Sequence, residues 1–75
     1  MNAARLERSP RLQRVLGCLK RGGWWTTRQL IQYATVCAVN SIISELRANG
    51  IPIESDVIYR GGRRVWRYRL AEGNE

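Results

Sequence analysis

Apolar residues recur with a period near 3.6 in the first two thirds of the chain and with a period of 2 in the last third. Leu12, Val15, Leu16 and Leu19 fall at i, i+3, i+4 and i+7, one stripe along a helix. Ser9 followed by Pro10 marks that helix's start, because serine caps and proline suits the first helical position. Lys20 and Arg21 suit its C-terminal dipole, and Gly22-Gly23 stops it. Trp24-Trp25 has room only for a bridging strand. Thr26, with Gln29 three residues on, reads as a capping box for a short second helix ending near Tyr33. A turn near residues 34–36 leads to a third helix, whose Val39, Ile43 and Leu46 face inward together. Asn49-Gly50 closes it.

Past Gly50, IPIESDVIY and RRVWRYRL flank Gly61-Gly62, the pattern of a tight two-residue hairpin. That turn fixes the pairing: Arg60 opposite Arg63, Tyr59 opposite Arg64, Ile58 opposite Val65. Continued, it sets Ile53 against Leu70, Ser55 against Tyr68 and Val57 against Trp66 on one face. On the other face Glu54 meets Arg69 and Asp56 meets Arg67. A slip of one residue would scramble both sets, so this register is the expected one. Trp66 and Tyr68 are then core candidates rather than base-stacking residues. Arg67 and Arg69 are expected on the solvent face, partly neutralised. Arg60, Arg63 and Arg64 stand at the tip with no acid near them. Like charges there repel one another, which favours an external anion as their partner.

Seventy-five residues make one small domain. The expected division is a flexible basic arm over 1–8, a folded domain over 9–70 and a disordered tail over 71–75. The charge of +7 comes from 13 basic and 6 acidic residues, a balance that suits nucleic acid first and a membrane surface second. No apolar run approaches membrane-spanning length and no amphipathic helix suits a membrane surface, so no membrane role and a cytoplasmic, nucleoid-associated location are expected. Cys18 and Cys37 have no metal-binding spacing and suggest a reducing compartment. With no histidine, scattered acids and no phosphate loop, an enzyme is not expected, nor a cofactor or metal.

The segment TTRQLIQYATVCAVNSIISELRANGIPIES resembles the winged helix-turn-helix family, and the resemblance extends over residues 10–70. It is most similar to small phage and prophage helix-turn-helix proteins, and more distantly to the DNA-binding domain of biotin repressors. The residues that carry it are the Thr26 cap, Leu30 and Ile31, the turn at Thr35-Val36, then Val39, Ile43 and Leu46. LRANGIPIES looks like the family's passage from third helix into wing. Two positions depart from the family: Thr35 stands where glycine is common, and Cys37 where Ser or Thr often caps the third helix. Cysteine caps poorly, which leaves tertiary contacts or the Thr35 hydroxyl to hold that first turn.

The resemblance implies an α+β winged helix-turn-helix fold, with three helices, a small antiparallel sheet and a C-terminal hairpin wing. It implies a third helix in the major groove of double-stranded DNA and a wing on the backbone or minor groove. The outward face of that helix offers Asn40, Ser41, Ser44 and Arg47 as base contacts. Arg28, Arg60, Arg63 and Arg64 are the candidates for backbone or minor-groove contact. Arg11 and Arg14 read as a solvated face, with a DNA-following arm as the alternative. Similarity to the family puts Trp25 in the core. Trp24 is left as a possible protein interface, or packed on an arginine stem. The expected function is a transcriptional regulator or an excisionase-like architectural factor, acting as a homodimer or cooperative array. The alternative is a protein-binding winged helix that docks on or inhibits a host protein complex.

Overall fold

Ser9 Oγ accepts from the Leu12 amide at 3.4 Å and opens helix α1 (Pro10–Lys20). The structure, a computed structural model, describes residues 5–71. Gly22 and Gly23 both have positive φ and end α1, a conformation that costs glycine little. Strand β1 (Trp25–Thr26) follows. In helix α2 (Thr27–Ala34) the Thr26 hydroxyl accepts from the Gln29 amide at 3.1 Å, and Gln29 Oε1 accepts from the Thr26 amide at 2.9 Å. Both halves of the expected capping box are therefore made. Helix α3 (Val39–Ala48) begins at Ala38 with no side-chain cap. Burial of Val36 and Val39 anchors that start instead of the Thr35 hydroxyl.

Strands β2 (Ile53–Arg60) and β3 (Arg63–Leu70) pair in the expected register at every position, from Ile53–Leu70 to Arg60–Arg63. Gly61 and Gly62 both have positive φ, as a two-residue turn of this hand requires. The sheet order is β1-β3-β2, with Trp25 opposite Tyr68 and Thr26 opposite Arg67. Three helices and a small three-stranded antiparallel sheet, in this order, give an α+β fold of winged-helix layout.

The core joins Leu12, Val15 and Leu19 of α1 to Leu30 of α2 and to Val39, Ile42, Ile43 and Leu46 of α3. Ile53 and Tyr68 close it from the hairpin base. Ile42 is fully part of this core rather than its margin. Trp25 packs against the core half-buried, edge-on to Tyr33 with ring centroids 5.8 Å apart.

Two expectations are corrected. The arm is not free over its last residues: Leu6–Arg8 form a 3-10 turn, and Leu6 packs on the core. The Leu6 amide donates to Asn49 Oδ1 at 3.0 Å, which ties the turn to the end of α3. Residues 1–4 of the arm and 72–75 of the tail lie outside the described residues. Trp66 is not a core residue but is 46% exposed, while Tyr68 is only 4% exposed. The cause is length. Eight residues of strand span roughly 27 Å, whereas ten residues of helix span roughly 15 Å. The Ile53–Leu70 and Ser55–Tyr68 rows lie over the helices. The Val57–Trp66 row falls beyond them, and β1 pairs no farther out than Arg67.

Candidate nucleic-acid interface

Most of the arginines are already occupied. Arg67 Nη2 donates to Asp56 Oδ2 at 2.7 Å, and Arg69 Nε donates to Glu54 Oε1 at 2.7 Å. Both guanidinium groups also stack on Trp24, at 4.3 and 4.4 Å from the ring centroid. Of the two readings of Trp24, packing against arginine is the one found, and the ring is half-buried there. The hydrogen bond from Arg67 holds the Asp56 carboxyl below its ordinary value of 3.8; the Val57 amide and the charges of Arg67 and Arg69 act in the same direction, against desolvation.

Arg11 and Arg14 are not a plain solvated face. Arg14 Nε donates to Ala34 O at 2.8 Å, capping the carbonyl end of α2. Arg11 Nη2 lies 3.5 Å from Glu45 Oε1, linking α1 to α3. That Glu45 oxygen is shielded from solvent and has no hydrogen bond, so the contact is Coulombic only.

Arg28, Arg60, Arg63 and Arg64 form a separate group at the wing and the start of α2. All four are exposed, and none is paired with an acid among the described residues. They line one concavity between the start of α2 and the outer hairpin, together with Thr26, Thr27, Ile31, Val65 and Trp66. The expected set of backbone contacts is thus gathered in one place, although Arg28 lies more than thirty residues from the wing tip in sequence.

A second groove runs between α3 and the hairpin, lined by Asn40, Ile43, Ser44, Arg47, Ser55, Trp66 and Tyr68. Asn40, Ser44 and Arg47 sit at i, i+4 and i+7 and form its helical wall. Ser41 is exposed on α3 but lies outside this lining. Two groove residues have structural duties. Asn40 Oδ1 accepts from the buried Tyr68 hydroxyl at 3.1 Å. Arg47 Nη2 donates to Ile53 O at 2.9 Å and to Ser55 Oγ at 3.4 Å. Arg47 is therefore not the unattached base reader expected from its place on the helix. It clamps α3 to β2, and only its other N–H groups are left for a ligand.

Sequence reasoning missed Trp66, the residue that lines both concavities. The available signal was distance from the hairpin base: a strand alternation gives a side chain's face but not how far the supporting layer extends. No protein-family model, curated protein or solved structure matches this chain. Among the described residues, no helix is long and apolar enough to cross a membrane.

Proposed function

We propose that this chain is a small DNA-binding protein of phage or prophage type, a transcriptional regulator or an excisionase-like architectural factor. α3 enters the major groove, and the arginine-rich wing follows the backbone or an adjacent minor groove. The observation that carries this reading is the separation of charge. Arg67 and Arg69 are neutralised at the wing's base, whereas Arg28, Arg60, Arg63 and Arg64 converge unpaired beside the polar stripe of α3. Three cations around one turn destabilise the free protein and are stabilised by a polyanion. Asn40 and Ser44 supply hydrogen bonds for base edges, and Ser41 and the free N–H groups of Arg47 extend that face. With so little charge on α3, most affinity comes from phosphate contacts, which position the protein without specifying sequence. A single small domain makes a limited contact, so specificity calls for a homodimer or cooperative array.

Titration of the protein with random and with genomic duplex DNA at several salt concentrations tests this. Engagement of about four to six phosphates gives a log–log salt slope near −4 to −5. Failure to bind either duplex at low salt would sink the proposal. The second reading, a protein-docking winged helix, draws on Ile31 and Tyr33, which are exposed on α2. A host protein retained by the wild type and lost on Tyr33→Ala, with no DNA bound, would favour it.

A further inference from the structure

Trp66 is used neither by the core nor by the duplex contact just described. Trp66 is 46% exposed at the seam between the two concavities, with Asn40 and Arg47 on one side and Arg28 and Arg64 on the other. Tyr59, 70% exposed, shares its hairpin face, because Val57 pairs with Trp66 and Tyr59 with Arg64. An intact duplex has little to offer such a ring. Its bases cover one another's faces, and its grooves present edges, sugars and phosphates. An unpaired base does expose a π face. A ring set among cations is how single strands are held: the charges follow the phosphates and the ring takes the base.

Resting on the DNA reading above, we propose that Trp66 stacks on an unpaired base, so that the protein favours DNA with a locally opened segment over an intact duplex. Arg28 and Arg64 hold the backbone on one flank of that base, and Arg47 on the other. The sign of the preference is diagnostic. Duplex DNA carries the denser charge and releases more counterions per contact, so arginines acting alone would favour the duplex. A contact with the base itself reverses that order; easier bending of an opened segment would also favour it, but that preference would survive the loss of the Trp66 ring.

The test compares a labelled duplex with the same duplex carrying a short central mismatch bubble, at one salt concentration, by fluorescence anisotropy. A 2-aminopurine in the bubble reports stacking directly. The wild type should bind the bubble at least about fivefold more tightly than the duplex. Trp66→Ala should bring that ratio to about one, by weakening bubble binding more than duplex binding, and abolish the 2-aminopurine quenching. Trp66→Phe, which keeps an aromatic face, should retain most of the preference and guards against a folding defect. Equal binding of both DNAs by the wild type, or a preference that survives Trp66→Ala, would overturn this inference alone. Binding to neither would remove the DNA reading and this inference with it.

Discussion

Thr35 is the one described non-glycine residue with positive φ, at φ 55 and ψ 54. A β-branched side chain in the left-handed region costs on the order of 1–2 kcal/mol. The chain tolerates it at the end of α2, where Arg14 donates to the Ala34 carbonyl. Thr35 is exposed. Thr35→Gly should therefore stabilise the fold by about 0.5–1 kcal/mol, once glycine's greater unfolded-state freedom is subtracted. In thermal melts that is a rise of a few degrees in Tm, since about 1 kcal/mol shifts a domain of this size by roughly 4–8 °C. A lowered Tm would mean that the threonine side chain contributes more than its backbone costs. The sequence marks Thr35 as unusual at a turn. It could not show Arg14 as the compensating group, because the two meet only when α1 packs across the end of α2.

The hairpin is the element most legible in the sequence. Alternation, a Gly-Gly turn and two acid–arginine matches all call for one register, and slipping by one residue breaks all three together. The stacking of Trp24 on Arg67 and Arg69 was less accessible, because it depends on β1 lying beside β3 rather than beside β2. This ladder makes the wing's base sensitive to acid. Asp56 ionises more readily in the folded chain than in the unfolded one, so its contribution is whole above 3.8 and is lost as pH falls through its lowered folded value. Thermal melts between about pH 5 and pH 2 should show Tm declining as Asp56 protonates. Asp56→Asn should lower Tm at neutral pH and flatten the profile across that window. Parallel profiles for the two proteins would show that the Asp56–Arg67 pair adds no pH-dependent stability.

At the scale of the molecule, the fold gives two groups of arginines different work. One part holds the structure together: Arg14 at α2, Arg47 between α3 and β2, Arg67 and Arg69 against acids and Trp24. The other part, Arg28 with the tip trio, lines an open concavity next to the α3 groove. The sequence revealed that the tip lacked acids and that α3 had a polar face. How far the hairpin overhangs the helices depends on the size of the packed layer beneath it, and that kept Trp66 out of view. The central claim is that the unpaired tip arginines engage phosphates. It is tested most directly by the salt dependence of duplex binding by the wild type and by a variant with Arg60, Arg63 and Arg64 all changed to Ala. Three lost phosphate contacts should make the log–log slope shallower by about 2 to 3, with weaker binding at low salt. A folded variant that keeps the wild-type slope and affinity would contradict the account.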